Sequence, residues 1–211
     1  MLAAFRHNPS LRNPFANDVP PYALLVEMAT SLPESIVTDL DDALAGALTP
    51  VLSGSTPLVE DVLVGPATDF WAIRHSISDG VARSGLVIAF DISVKRSKLP
   101  AFRIAATEMI ARDFPMLEVY DFGHCGDGGD HFNPGAGLPT EAERKPVIDA
   151  VRLALYDLVF RDFGGTFSAE HGVGPHNQRF YERYRPEAER ALSRSLKALL
   201  DAQNLAGNIR L

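Results

Sequence analysis

Apolar residues recur every three to four positions over several stretches of the chain, which is the period of an α-helix. The pattern predicts helices over residues 33–48, from residue 67 to a stop at Gly85, over 100–112, over 141–163 and from Pro186 onwards. Two of these helices have a well-defined apolar face. The faces consist of Phe70, Ile73, Ile77 and Val81 in the second helix, and of Val147, Val151, Leu155, Leu158 and Val159 in the fourth.

Other apolar runs are short or alternate with polar residues, and they predict β-strands. These runs lie at 22–29, 61–64, 86–94, 116–122 and 131–133. Over 86–94 the even-numbered residues are all apolar, whereas Val87, Ala89, Asp91 and Ser93 are small or polar. We expect the even-numbered face in the core. The other face is either the wall of a binding site or, more commonly, a solvated sheet face.

Turn-forming residues predict loops at 50–57 and 134–138, and residues 1–20 read as an irregular lead-in. The remaining order of strands and helices permits either a parallel α/β sheet or an α+β fold. Short links, an expected hairpin near residue 127 and the lack of a nucleotide-type glycine-rich first turn favour α+β. We therefore expect an α+β fold.

Composition limits the class of protein. The chain has 211 residues, of which 46% are hydrophobic and 22% charged, and these values predict one ordinary globular domain. A net charge of −7 disfavours nucleic acid or an anionic membrane surface as a partner. No apolar run approaches the roughly 20 residues of a membrane-spanning helix. The single cysteine, Cys125, excludes an internal disulfide and, with no signal-peptide pattern, predicts a cytoplasmic location.

Two short polar stretches carry candidate chemistry. His124 and His131 flank a turn of Gly and Asp residues, and glycine allows a tight reversal that brings both imidazoles to one end of a hairpin. Glu170, between small residues, can add a carboxylate. Two histidines and one carboxylate form a three-ligand metal set with open coordination positions. A histidine in a turn is more often a solvated surface residue. Cys125 could be read as a further ligand beside His124, but neighbouring side chains at a strand end point in opposite directions, which disfavours this role.

The same two stretches resemble a known family. The motifs are Gly123-His124-x-Gly126-Asp127-Gly128-x-x-His131-x-Asn133 and Ser168-Ala169-Glu170-His171-Gly172-x-Gly174. In this order they resemble the C-terminal, substrate-binding (cap) domain of FAD-linked oxidases of the vanillyl-alcohol-oxidase class. Within it, the D-lactate, glycolate and D-2-hydroxyglutarate dehydrogenases are the most similar branch. The resemblance implies a single cap domain over residues 21–211 after the lead-in. It also implies the α+β fold, with an antiparallel sheet and helices packed on one side.

The resemblance also implies a role for each site residue. His124, His131 and Glu170 match the ligands of a divalent metal, Zn²⁺ or Mn²⁺. His171 matches the base that takes the hydroxyl proton while hydride leaves for the flavin. Asn133 matches a substrate contact.

Upstream, Arg74 and Ser78 match the residues that hold the substrate carboxylate. They stand four apart, so both can face one anion from a helix. From the sequence alone, a surface salt bridge is the commoner role for Arg74.

Three residues depart from the family pattern. Ala89 stands where the 2-hydroxyglutarate branch tends to have a lysine for a second carboxylate, so a dicarboxylate substrate is disfavoured. Gly129 and Asp130 replace the usual asparagine and apolar residue of the hairpin turn. Asp130 is expected to add a negative charge beside His131.

No stretch resembles the glycine-rich loop that binds FAD, so the expectation is that the flavin domain is absent and that the chain alone is inactive. The resemblance implies the substrate- and metal-binding domain of an FAD-dependent 2-hydroxy-acid dehydrogenase, which acts on a small hydroxy acid beside an FAD-binding domain or subunit. The alternative is a non-catalytic binding module or fragment that keeps the fold and the metal site. A stand-alone metal hydrolase with the same ligands is a third interpretation.

Overall fold

A computed structural model describes residues 1–15, 18–33, 39–53, 59–136 and 141–206. Over these residues the chain forms two compact units, Met1–Arg83 and Ser84–Leu211. The helices are α1 (Leu2–His7), α2 (Leu40–Leu52), α3 (Ala67–Ala82), α4 (Leu99–Asp113), α5 (Glu141–Asp157), α6 (Gly174–Tyr184) and α7 (Glu187–Leu200). The strands are β1 (Leu86–Val87), β2 (Ile92–Ser93), β3 (Glu118–Phe122) and β4 (Gly129–Ala136).

The first unit contains a close contact between α1 and α3. Ala3 and Ala4 are buried, and a Cβ built on Gly80 of α3 would come within 2.6 Å of the Ala4 Cα. The missing side chain at position 80 therefore allows the two helices to approach. Because α1 lies within residues 1–20, the predicted irregular lead-in is wrong for this segment. A helix of six residues is too short to show a period.

The first of the predicted helices, over residues 33–48, begins later than expected. The carboxylate of Asp39 accepts a hydrogen bond from the Asp41 N–H at 2.9 Å and caps α2, so this helix begins at Leu40. Residues 34–38 lie outside the described part of the chain. At its other end α2 continues through Pro50 to Leu52, and the predicted loop is wrong there. Pro50 stands in the last turn, where its missing N–H removes a single helical bond.

Two predicted strands of the first unit are wrong. Residues 22–29 and 61–64 have no regular secondary structure, and Tyr22 and Leu24 are 70% and 80% exposed. A strand requires a hydrogen-bonded neighbour, which an apolar run cannot provide by itself. The predicted helix from residue 67 is confirmed: α3 buries Ile73 and Val81, and Gly85 follows it with a φ of 123°.

In the second unit, β4 is the central strand of an antiparallel sheet. One edge of β4 pairs with β3, and the other edge pairs with β1 and then β2. Leu86 lies opposite Ala136, and Ile92 lies opposite Asp130. Ile92 is six residues after Leu86 and Asp130 six residues before Ala136, so β1 and β2 keep one antiparallel register against β4. The predicted single strand over 86–94 is therefore correct in position. It is interrupted where the side chain of Asn133 accepts the Phe90 N–H at 3.3 Å.

One face of this sheet packs against α4 and α5. The rings of Phe102 and Phe132 meet edge to face with centroids 5.9 Å apart, and those of Phe90 and Tyr156 at 5.1 Å. Other buried apolar side chains of the unit include Ile88, Ile92, Val94, Leu99, Ala106, Ile110, Val151, Leu155, Val159, Phe167 and Phe180. The predicted core face of 86–94 and the inward face of the long helix are both confirmed. An antiparallel sheet covered by helices is the α+β fold that the sequence predicts.

Three details of the second unit differ from the prediction. β4 extends to Ala136, so the loop predicted from residue 134 is wrong for its first three positions. The long helix changes to one π-helical turn, Leu158–Asp162, before Gly164 ends it with a φ of 63°. α6 is a helix that the sequence analysis missed, because its first turn is polar and begins Gly-Pro-His-Asn.

Among the described residues, no helix combines the length and the apolar character needed to cross a membrane.

Candidate active site

The hairpin of β3 and β4 positions His131. Phe122 and His131 are paired opposite each other at the end of the ladder, and their rings lie 5.4 Å apart. The turn between the strands contains Gly128, which has a φ of 86°. A Cβ at that position would lie 2.2 Å from the Val94 carbonyl oxygen. The turn can therefore pack against the end of β2 only with glycine there. The predicted hairpin is confirmed.

Glu170 and His171 lie on a loop that follows α5 and its π-helical turn. Gly165 brings the start of this loop against β2, where Ser93 and Thr166 exchange two backbone hydrogen bonds of 3.2 and 2.8 Å. The Ser168 hydroxyl then donates to the Gly172 carbonyl oxygen at 2.7 Å. These bonds place the loop beside the strand pair that holds His131.

Three ionisable side chains converge at this point. His131 Nε2 and His171 Nε2 each lie 3.4 Å from Glu170 Oε1. The two imidazole rings are stacked, with centroids 5.6 Å apart and an interplanar angle of 18°. His131 is largely buried, whereas the side chains of Glu170 and His171 are 53% and 66% exposed. The cluster therefore has one side open to solvent, as a site for a small ligand requires.

Asp91 lies beneath the cluster and is a residue that the sequence analysis did not assign to the site. Its side chain is 9% exposed, and its Oδ2 lies 3.6 Å from His171 Nδ1. Burial by itself would raise the pKa of this carboxyl. Hydrogen bonds from the His171 and Glu170 N–H groups, with the nearby charges of His171 and His131, outweigh burial and lower the pKa below its ordinary value. The signal in the sequence is a single charged residue inside an otherwise apolar strand.

The donor set fits a divalent metal ion. Ligand atoms of Asp91, His131 and Glu170 all lie within 4.8 Å of one another. Two ligands at about 2.1 Å from a tetrahedral Zn²⁺ are about 3.4 Å apart. That spacing equals the distance of 3.4 Å from His131 Nε2 to Glu170 Oε1. Of the three ligands predicted from the sequence, the structure thus brings these two together.

His124 is placed differently. It lies in the hairpin turn, exposed, and it does not belong to the described group of donor atoms. Its carbonyl oxygen accepts the Asp127 N–H at 3.1 Å as part of the turn. The turn directly follows β3, at the same end of the hairpin as His131. The role of His124 as the third ligand stays a prediction.

Asn133 is buried and holds the sheet together. Its Oδ1 accepts the Phe90 N–H, and its Nδ2 donates to the His131 carbonyl oxygen at 2.8 Å. Only 4% of the residue is exposed. Its predicted contact with substrate stays a prediction, beside this structural role.

Arg74 and Ser78 belong to the first unit. Both lie on α3, one turn apart, with Arg74 half-buried and Ser78 exposed. The helical spacing predicted for an anion clamp is therefore present, and their role in binding a carboxylate stays a prediction.

The expectation for Asp130 is wrong. Asp130 is adjacent to His131 on β4, so its side chain points to the opposite face of the sheet, where it is 4% exposed. Burial, followed by the hydrogen bond and charge of Asp121, raises its pKa to about 8 although Arg103 opposes the shift. At neutral pH this carboxyl is mainly protonated, and it does not add a full charge beside His131.

Several curated proteins are similar to the chain. A D-2-hydroxyglutarate dehydrogenase of Xanthomonas citri is 35% identical over 64% of the chain and 28% of its own length. One of Stutzerimonas stutzeri is 29% identical over 91% of the chain and 40% of its length. A mitochondrial D-2-hydroxyglutarate dehydrogenase of Arabidopsis thaliana is 28% identical over 97% and 35%. The chain thus spans between 28% and 40% of the length of these relatives.

A family model provides the strongest match. The model for the C-terminal domain of FAD linked oxidases matches residues 4–208, nearly the whole chain. The match begins at residue 4, so it includes most of α1 and extends further than the resemblance based on motifs. With its α+β fold and its His131–Glu170–His171 cluster, the chain belongs to the family of FAD-linked oxidase C-terminal domains.

Proposed function

We propose that the chain is the substrate- and metal-binding domain of an FAD-dependent 2-hydroxy-acid dehydrogenase, which oxidises a hydroxy acid to a keto acid. The observation that carries the proposal is the cluster of His131, Glu170 and His171 on an open surface in a domain of this family. The similar D-2-hydroxyglutarate dehydrogenases support the same class of reaction.

In this proposal His131, Glu170 and His124 hold one divalent ion, Zn²⁺ or Mn²⁺. Such an ion polarises the substrate hydroxyl and lowers its pKa. His131 and Glu170 are already at ligand spacing, and His124 lies in the turn at the same end of the hairpin as His131.

His171 is the proposed base, and it accepts the hydroxyl proton at an imidazole nitrogen. Oxidation also removes a hydride, for which the flavin is the acceptor. Arg74, Ser78 and Asn133 are the proposed contacts for the substrate carboxylate. Asp91 Oδ2 lies 3.6 Å from His171 Nδ1, so a carboxylate stands beside the imidazole of the proposed base.

The substrate class follows from Ala89. This residue is exposed, on the face of its strand that also carries Asp91 and opposite the core. It offers no charge to a second carboxylate, so we propose a preference for monocarboxylate hydroxy acids. The partner is an FAD-binding domain or subunit, and a cytoplasmic location completes the proposal.

Ligand binding by the chain itself tests the chemistry without the flavin. With Zn²⁺ present, D-lactate or glycolate should perturb the NMR signals of the His131 and His171 rings at millimolar concentration. Propionate, which lacks the hydroxyl, should perturb them much less, and D-2-hydroxyglutarate should gain nothing from its second carboxylate. Equal effects of lactate and propionate would contradict recognition of the hydroxyl.

Catalysis is tested in a preparation that also contains the FAD-binding partner. His171→Ala should leave the metal content nearly unchanged and lower turnover by the roughly 10²–10⁴-fold that a general base contributes. Near wild-type turnover in this variant would place the base elsewhere. Ester or amide hydrolysis by the chain without flavin would instead favour the hydrolase interpretation.

A further inference from the structure

Asp91 directs one carboxylate oxygen at three consecutive backbone N–H groups of the catalytic loop. Its Oδ2 accepts hydrogen bonds from Ala169, Glu170 and His171 at 3.1, 3.0 and 2.8 Å. The Ser168 hydroxyl lies 3.5 Å from the same oxygen. Consecutive N–H groups that converge on one point form a concave anion site in the backbone. Here the anion is a side chain of the protein, 78 to 80 residues away in sequence.

The other contacts of this loop secure its beginning and join Ser168 to Gly172 across its tip. Thr166 is paired with Ser93, and the Ala169 N–H also reaches the Asp91 carbonyl oxygen at 3.0 Å. At Glu170 and His171 the hydrogen bonds of the backbone N–H groups go to the Asp91 side chain. The carboxylate of Asp91 therefore fixes the two residues whose side chains face the ligand.

The exposure of those side chains shows why an anchor matters. Glu170 and His171 are more than half exposed, so packing does little to restrict them. A site that holds its groups in a productive geometry needs support from buried partners behind it. Asp91 is buried, is attached to the core strand between Phe90 and Ile92, and contacts both residues through their backbone.

We propose that Asp91 is a positioning residue, which holds the Glu170–His171 loop in the geometry that binds the metal and the substrate. Its Oδ2 accepts the loop N–H groups, and in this proposal Asp91, although it lies within the donor group, supports the ligands and does not bind the metal itself. Asp91 acts through the backbone, and Glu170 and His171 act on the ligand. The proposal rests on the proposed function for its chemical consequence, but the anchoring itself can be measured independently.

The test combines hydrogen exchange with metal binding in the full chain. Amide exchange of Ala169, Glu170 and His171 is followed by NMR, and Zn²⁺ affinity by calorimetry. Asp91→Ala should accelerate exchange of the Glu170 and His171 amides by about 10-fold or more, since it removes their acceptor, whereas the Ala169 amide keeps the backbone carbonyl oxygen of residue 91. It should weaken Zn²⁺ binding by the roughly 10–100-fold typical of a lost supporting contact. Amides of β4 should keep their protection.

Two further variants separate anchoring from ligation. Asp91→Asn keeps one carbonyl acceptor, so loop protection and Zn²⁺ affinity should both lie between those of wild type and Asp91→Ala. It also serves if Asp91→Ala does not fold. Glu170→Ala, the matched control, should lose Zn²⁺ affinity while its loop amides stay protected.

Unchanged exchange of the loop amides in both Asp91 variants would overturn the proposal. Loss of Zn²⁺ affinity with full loop protection would also overturn it, because Asp91 would then be a ligand. If the wild-type chain bound no Zn²⁺, the proposed metal site would fail, and the exchange rates would still decide the anchoring.

Discussion

At the scale of single residues, the proposed metal site draws its donor atoms from two separate parts of the chain. His131 comes from a strand and Glu170 from a loop, and their donor atoms are at ligand spacing without an ion present. A site whose ligand side chains are already close to their binding positions has a small free-energy cost of reorganisation when the ion binds. The two residues should therefore dominate affinity.

We predict that the chain binds about one Zn²⁺ or Mn²⁺ per molecule, more weakly than a four-ligand structural site. His131→Ala and Glu170→Ala should each lower the affinity at least about 10-fold, measured by calorimetry. His124→Ala should do the same if the turn completes the set. His176→Ala, a histidine outside the group of donor atoms, is the control. Equal metal content in wild type and all variants would refute the ligand assignment.

Tyr156 gives a prediction about pH. Burial raises the pKa of its phenol to about 12, and its hydroxyl donates to Asn177 Oδ1 at 3.2 Å. The folded-state pKa lies above the unfolded value of about 10. The phenol's contribution is therefore fully present below pH 10 and is lost as the pH rises towards 12.

We expect the free energy of unfolding of wild type to fall by an additional amount on the order of 2–3 kcal/mol between pH 10 and 12 because of this residue. Tyr156→Phe should cost about 1 kcal/mol at pH 8, where it removes a hydrogen bond, and should lack the extra loss at high pH. Urea unfolding at several pH values measures both. Parallel pH profiles for the two proteins would be the contradicting result.

At the scale of elements, Gly165 controls how closely the loop that carries Glu170 and His171 approaches the sheet. A Cβ on this residue would lie 2.4 Å from the Ser93 carbonyl oxygen and 2.9 Å from Val159 Cγ1. The first neighbour is backbone and cannot move aside cheaply. The contact between loop and strand therefore depends on the missing side chain.

Gly165→Ala should destabilise the chain by about 1–3 kcal/mol, as overpacking does, and should weaken Zn²⁺ binding because the loop is displaced. Gly126→Ala is the matched control, since a Cβ there has no neighbour within 4 Å. Its unfolding midpoint in urea should stay close to that of wild type. A Gly165→Ala variant as stable as this control would show that the loop can shift freely.

The elements that the sequence predicted well share a local cause. The apolar faces of α3, α4 and α5 can be recognised from the helical period of apolar residues in the sequence. The even-numbered residues from Ile88 to Val94 are buried in the core, as their alternation predicts. The two failed strands had apolar runs, but no strand pairs with them in the part of the chain that the structure describes. The pairing of strands depends on distant residues, and periodicity contains no information about it.

The candidate site, like the fold, was only partly predictable from the sequence. The motifs identified His131, Glu170 and His171, and the structure brings these three together. Asp91 was missed because its hydrogen bonds join segments about 80 residues apart, and a single sequence does not show such contacts. α6 was missed despite Phe180 and Tyr184, which are spaced one turn apart and pack beside its polar first turn.

At the scale of the whole molecule, the large apolar core and the donor cluster lie in one unit. The buried cluster extends from Ile88 to Tyr181, and Asp91, His131 and Glu170 lie within the same residues. All of them belong to Ser84–Leu211. A region that contains its own core can fold independently.

We predict that a fragment of residues 84–211 folds alone and binds Zn²⁺ with an affinity within about threefold of the whole chain. Circular dichroism with urea unfolding, followed by calorimetry, measures both. The complementary fragment 1–83 should not bind Zn²⁺ comparably. A fragment 84–211 without a cooperative unfolding transition would show that its stability requires the first 83 residues.

The contact between α1 and α3 has a consequence for related sequences. Gly80 admits the backbone of Ala4 to a distance that no larger residue permits. In any relative, a bulkier residue at the position of Gly80 would prevent the short first helix from packing against α3. The size of the residue at this position in an alignment should therefore indicate which members of the family form α1. Substitutions at the position of Gly80 should covary with substitutions at the positions of Ala3 and Ala4.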